Sequence, residues 1–371
     1  MDLSTDYTLS NSASFEFNSS IANLNQTTLS HEWRITNATT YNWAYDVVVD
    51  WNYAYMTNYM RDSVTILDIT NPSTPTFVSQ LINNNWTIRL DWAAGIVKDW
   101  DYLYVASNVS DALQIINVTN PAIPTAAWQL VNATTLNWAR WIAKSWNYVY
   151  ITCDTYDALQ IINVTNVAAP TITWTYRNAA NWNLNWARDI KVVWNYAYIS
   201  NYDRDSLAIM NISNPATPTL AWQLQDATNL NWAHQVEISW NYAYVSAYLN
   251  NSVRVINISN PATPTAVTNI SWWSYSLTNP RDLLIDGNKL FITSFWLDAV
   301  NVVNITNPAA PVYITKILHN AANPLLDWVD GIFKVGNYIY TAVYNSDALE
   351  ILRFNYDTTS PNIISNTWFN Y

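Results

Sequence analysis

The feature that most limits what this chain can become is a motif that returns seven times. Trp51-Asn52-Tyr53-Ala54-Tyr55 opens the first copy, and the same place is reached again at Trp100, Trp146, Trp194, Trp240, Gly287 and Gly336, a period of 46–49 residues. Self-similarity at ~40–50 residues marks architectures whose units cannot bury an apolar face alone and must stack on one another. The fourth copy shows the strands of one unit: 188–193, 196–201, 206–212 and 219–224 are short runs rich in Val, Ile, Tyr and Thr. Such residues suit a half-buried pleated surface. Between the third and fourth runs, Asn214-Pro215-Ala216-Thr217-Pro218 must turn, because proline presets φ and has no N–H for a ladder. The pattern predicts an all-β chain, a seven-bladed β-propeller of four-stranded antiparallel blades.

The ends of the repeat array predict how the ring closes. Trp33-Arg34-Ile35-Thr36-Asn37-Ala38-Thr39-Thr40 reads like 128–135, an outer fourth strand and its linker, while the last copy, 331–354, supplies only three strands. The N-terminal strand is therefore expected to complete the last blade, which removes the free sheet edge that would otherwise invite aggregation. This divides the chain into an extension outside the repeats (1–28), the propeller (29–356) and a C-terminal tail or linker (357–371). Part of a longer multidomain protein is the expectation.

Composition narrows the function. Sixteen Lys plus Arg against 27 Asp plus Glu give a net charge of −11, which repels phosphate backbones and argues against nucleic acid. No apolar run is long enough to span a bilayer, and the acidic start Met1-Asp2-Leu3-Ser4-Thr5-Asp6 is not a signal peptide. Cys153 is the single cysteine, so no internal disulfide and no thiolate zinc cluster can form. No HExxH, GxSxG, P-loop or calcium-loop motif occurs. No catalytic residue, no metal and no cofactor is expected.

Twenty-two Trp against four Gly is an inverted ratio for a protein full of turns. All four glycines stand where a sister repeat has Trp: Gly287 and Gly336 align with Trp51, Trp100, Trp146, Trp194 and Trp240, and Gly95 and Gly331 align with Trp141. Gly287-Asn288 and Gly336-Asn337 sit at two-residue hairpin spacing, which predicts a type II′ turn with φ > 0 at its first central residue. Glycine takes that conformation freely, whereas Trp carries the steric cost of its Cβ. The expectation is that the Trp codons are UGA, read as glycine in the source. Genuine tryptophans used as sugar-stacking platforms are the alternative.

With glycine restored, the third strands Leu113-Gln114-Ile115-Ile116-Asn117-Val118-Thr119-Asn120-Pro121 and Leu207-Ala208-Ile209-Met210-Asn211-Ile212-Ser213-Asn214-Pro215 resemble the LVIVD repeat of bacterial β-propellers. The second strands, such as Asn241-Tyr242-Ala243-Tyr244-Val245-Ser246, are similar too. The resemblance covers about residues 30–355. It implies part of a secreted or surface protein, beside adhesion-type modules, and no shared catalytic motif. The chain departs from the family in carrying Asn at 117, 163, 211, 257 and 304 where Asp is usual, while Asp68 keeps the acid.

In a propeller the first strands line the channel, and the loops at one face vary on a constant scaffold. The first-strand entrance reads Tyr45, Ala94, Arg140, Arg188, His234, Arg281, Asp330 around the ring. The next position reads Asp46, Gly95, Trp141, Asp189, Gln235, Asp282, Gly331. Arg140, Arg188, His234, Arg281, Asp330 and Asp46 are thus candidates to hold a carboxylate, phosphate or sugar hydroxyls at the channel mouth. Arg188–Asp189 and Arg281–Asp282 ion pairs that merely close the channel are the competing expectation. Second-to-third-strand loops add Tyr59, Arg61, Tyr202, Arg204 and Tyr248, since Tyr beside Arg is a frequent recognition pairing. The near-periodic acid Asp62, Asp111, Asp157, Asp205, Asn251, Asp298, Asp347 is read as structural, capping the preceding turn. The sequons at Asn117, Asn163, Asn211 and Asn257 are read as turn formers, not glycan sites. The functional expectation is a non-catalytic extracellular or cell-surface binding or adhesion module that presents one loop face to a protein or glycan. The alternative is a carbohydrate- or small-acid-acting enzyme at the channel mouth, for which Asp46 and Asp330 are the carboxylate pair.

Overall fold

A computed structural model describes residues 28–177, 184–271, 277–320 and 326–355. These residues form twenty-eight strands, arranged as seven separate four-stranded antiparallel sheets. Blades 1 to 6 are consecutive meanders over 44–82, 93–131, 139–177, 187–225, 233–271 and 280–318. Blade 7 takes three strands from 329–355, and β1 (Thr28–Thr36) lies against the last of them, with Leu29 opposite Phe354 and Ile35 opposite Leu349. Closure by the N-terminal strand is as the sequence predicts. The extension at 1–27 and the tail at 356–371 lie outside the described residues.

Each blade repeats one burial pattern. Its second and third strands are buried almost throughout, and its fourth strand, at the rim, is largely half-exposed. The core is therefore not one mass but a series of seams between neighbouring sheets. In one seam Tyr55, Val64 and Ile66 of blade 1 meet Leu90, Ile96, Leu103 and Ile116 of blade 2. Each such side chain, taken wholly from water, contributes about 1.5–3 kcal/mol, so a blade is held mainly by its neighbours.

Polar clasps join the same neighbours. Asp62 Oδ1 accepts the backbone N–H of Trp92 (2.9 Å), Asp205 that of Trp232 (2.8 Å), and Asp347 that of Trp43 (2.8 Å), with the same bond in every other blade. The role is structural, but it corrects the expected target. The acid caps the first-strand entry of the following blade rather than the turn before it. All seven of these residues have φ of 47–54°, a left-handed conformation that Asp and Asn tolerate better than other side chains. The sequon asparagines Asn117, Asn163, Asn211 and Asn257 accept the N–H two residues on at 2.8–3.0 Å, as turn formers do. The hairpin glycines Gly287 and Gly336 have φ of +58° and +57°, with Asn288 and Asn337 not in the positive region, the φ pattern of a type II′ turn.

Candidate functional site at the channel mouth

The first strands begin at Ala44, Ala93, Ala139, Ala187, Ala233, Pro280 and Val329, and the residue after each faces the channel mouth. Five of the predicted residues meet there. Arg140 donates Nε and Nη2 to the Tyr45 hydroxyl (3.1 and 2.8 Å) and Nη1 to Asp154 Oδ2 (3.1 Å). Arg188 Nη1 reaches the same oxygen at 3.3 Å, and its Nε approaches His234 Nε2 at 3.4 Å. Arg281 approaches His234 Nε2 from the other side, also at 3.4 Å, and pairs through Nη1 with Asp330 at 2.8 Å. The chain of contacts Tyr45–Arg140–Asp154–Arg188–His234–Arg281–Asp330 thus runs round most of the mouth.

Electrostatics follow from that crowding. His234 is buried, and burial together with Arg188, Arg281 and Arg140 holds its pKa well below the ordinary value. It is neutral, and its Nε2 lone pair faces the two guanidiniums. Asp154 and Asp330 are pushed up by burial and drawn back by the arginines beside them. Flat rings surround the network. Arg188 lies over the Tyr202 ring at 5.0 Å and Arg281 over Phe295 at 4.2 Å. Tyr248 stacks on His234 at 6.0 Å, and Tyr59 stacks on Tyr45 at 5.1 Å.

One level deeper the second register forms a different ring. Asp46 accepts the N–H of Val47 (2.8 Å) and of Ile96 in the next blade (3.0 Å). Asp189 accepts from Val236 (3.0 Å), and Asp282 from Leu283 and Ile332 (2.8 Å each) and from Gln235 Nε2 (2.8 Å). Burial pushes Asp46 up to about 7 and Asp189 to about 6. Below them Lys191 pairs with Glu237 at 2.7 Å, and the channel leaves a cavity of about 290 Å³. Gly95 and Gly331 stand in this ring because a Cβ there would come within 2.8–2.9 Å of the neighbouring blade's backbone.

Several expectations are redistributed. Arg188 and Arg281 do pair with carboxylates, but with Asp154 and Asp330, not with the adjacent Asp189 and Asp282, which point a level down as alternate residues of a strand must. Asp46 and Asp330 lie in different rings, Asp46 accepting the N–H groups of Val47 and Ile96 and Asp330 pairing with Arg281. Arg61 and Arg204 sit on the loops without a hydrogen bond or ion pair to the ring among the described residues. Asp154 went unnoticed in the sequence, although it is the only acid in the register Tyr59, Asn108, Asp154, Tyr202, Tyr248, Phe295, Tyr344. Among the described residues no three His, Cys, Asp or Glu side chains are placed to hold a metal ion, and no helix is long and apolar enough to cross a membrane.

Similarity to known proteins agrees with this architecture. The LVIVD repeat matches residues 43–81, 186–226 and 232–271, which are blades 1, 4 and 5. No curated protein sequence matches. Among solved structures, the chain is similar to the β-propeller domain of Cps50 (Swd1) from Myceliophteria thermophila (TM-score 0.68, 7% identity, covering 88% of this chain and 100% of that one). It is also similar to virginiamycin B lyase from Staphylococcus aureus (TM-score 0.66, 10% identity, 88% and 99%) and to BamB from Moraxella catarrhalis (TM-score 0.54, 13% identity, 88% and 98%). At such identities the likeness is one of fold alone. The chain is thus a seven-bladed β-propeller that carries LVIVD repeats in three of its blades.

Proposed function

We propose that this propeller is a non-catalytic binding module of the cell surface or extracellular space, which presents the channel-mouth face to a protein or glycan. The observation that carries the reading is the contact network at the mouth. Its arginines contact Asp154, Asp330, His234 and Tyr45, so the titratable groups there brace one another. What supports the surface location is the resemblance of the repeat to propellers of secreted and surface proteins.

The test is direct binding of the purified chain to glycan arrays and to a panel of purified extracellular proteins. Saturable binding that Tyr202→Ala or Tyr248→Ala weakens, and that Asn337→Ala on the opposite, hairpin face leaves alone, is the expected result. Turnover of a sugar or small acid, abolished by Asp330→Asn, would replace this reading with the enzymatic one. One structural neighbour is a lyase by description, so that outcome is worth measuring on the same preparation.

A further inference from the structure

We propose that the mouth between Arg188 and Arg281 binds the carboxylate of a small ring acid, a sugar acid or an aromatic acid, whose flat face rests on Tyr202, Tyr248 and Phe295. This rests on the binding-module reading and names its ligand chemistry. Three observations carry it. First, the ring holds three guanidiniums (Arg140, Arg188, Arg281) and only two carboxylates (Asp154, Asp330) around a neutral imidazole. A buried cation in excess is costly unless an anion joins it. Second, Arg188 and Arg281 each spend Nε on His234 and Nη1 on an aspartate, which leaves both Nη2 groups without a partner among the described residues. Their side chains keep 10% and 12% of their exposure, at the mouth. Two donors flanking one acceptor suit the two oxygens of a carboxylate. Third, His234 is 1% exposed and its Nδ1 has no partner. With Nε2 facing two N–H donors, Nδ1 carries the proton, a buried donor left unused. The rings beside the site are Tyr202, Tyr248 and Phe295, which themselves stack on Trp232 and Trp328.

The experiment titrates the whole chain with glucuronate, benzoate and acetate, with neutral glucose as control, by calorimetry. Saturable binding of glucuronate or benzoate, none of glucose, and at least tenfold weakening by Arg281→Lys are expected. Arg281→Lys keeps the charge opposite Asp330, so the fold is retained, while the fork is lost. Tyr248→Ser should weaken the ring acids and leave acetate unchanged. An oligomeric uronate that binds more tightly than the monosaccharide identifies a glycan as the source, and equal binding identifies a free acid; either supports the site. No saturable binding of any carboxylate, or an unchanged Arg281→Lys variant, overturns it. If macromolecular binding persists while every small acid fails, only the carboxylate site falls; if both fail, the binding-module reading falls too.

A separate observation carries a second proposal: we infer that eleven of the tryptophans are glycine in the native protein, encoded by UGA. Trp51, Trp100, Trp146, Trp194 and Trp240 have φ of 48–54°, in register with Gly287 and Gly336 at 58° and 57°. At the first-strand entry Trp43, Trp92, Trp138, Trp186, Trp232 and Trp328 have φ of 49–59°, in register with Asn279 at 50°. Positive φ in a bulky residue is an outlier, and here it recurs twice in each of blades 1 to 5. The five hairpin indoles are 86–95% exposed, so no packing offsets the strain. Tryptophan and glycine together are about 7% of the chain, the ordinary share of glycine alone. The source gene should carry UGA at these positions, and replacing the five hairpin Trp by Gly should raise Tm. UGG codons there, or a lowered Tm in the glycine variant, overturn the inference.

Discussion

At the scale of single residues, this protein places unusual backbone conformations where neighbouring blades touch. Asp205 shows the logic: its φ of 51° turns the carboxylate onto the Trp232 N–H of the following blade. Asp205→Ala loses that bond and puts a Cβ-bearing residue with no local polar contact in the left-handed region. The expected loss is about 1–2 kcal/mol, read as a lower urea midpoint at an unchanged slope. The acid's seven-fold recurrence was legible in the sequence. Its target was not, because the donating N–H lies 27–30 residues along the chain for most blades, and only the ring brings the two together.

At the scale of elements, β1 is the piece on which closure depends. It covers the strand that ends in Leu352 and Phe354, both fully buried, and contributes Leu29 to the same core. Removing residues 1–36 leaves that strand as an open edge with unpaired N–H and C=O groups. The shortened chain is expected to aggregate, seen as a shift in light scattering on size exclusion, and a peptide of residues 28–40 added in trans should restore the peak of the full chain. The strand was readable because 33–40 repeats the pattern of 128–135. Asp154 was missed for the opposite reason, since a lone acid in a register that is otherwise Tyr, Asn and Phe carries no periodicity of its own.

At the scale of the whole molecule, the channel couples stability to pH. Burial raises Asp46 to about 7 and Asp189 to about 6, and Asp282 well above its usual value. A carboxyl whose folded pKa is raised holds its proton in the fold and gives it up in the unfolded chain. Its contribution is fully present below the unfolded value near ~4 and is lost as pH rises through the folded one. For Asp46 that window runs from ~4 to about 7. Asp46→Asn removes the titration, so the drop in Tm between pH 5 and pH 8 should be smaller in the variant than in the wild type. An equal drop in both would show that Asp46 does not titrate in this range. His234 acts the other way. Its lowered pKa makes the fold lose stability as pH falls through the unfolded value near ~6.5. His234→Gln should therefore lose less Tm than the wild type when pH falls from 7 to 5.

The number of blades, their four strands, the closing strand and the two rings at the mouth were all legible in the amino-acid sequence. All of these follow from period and alternation, which act on neighbours along the chain. The tertiary structure alone decided the partners: which aspartate each arginine takes, which blade each cap serves, and which ring each carboxylate joins. Those bonds cross between sheets, where distance in space is unrelated to distance in sequence, and side chains settle them by competing for the same few acceptors in a crowded, dry channel.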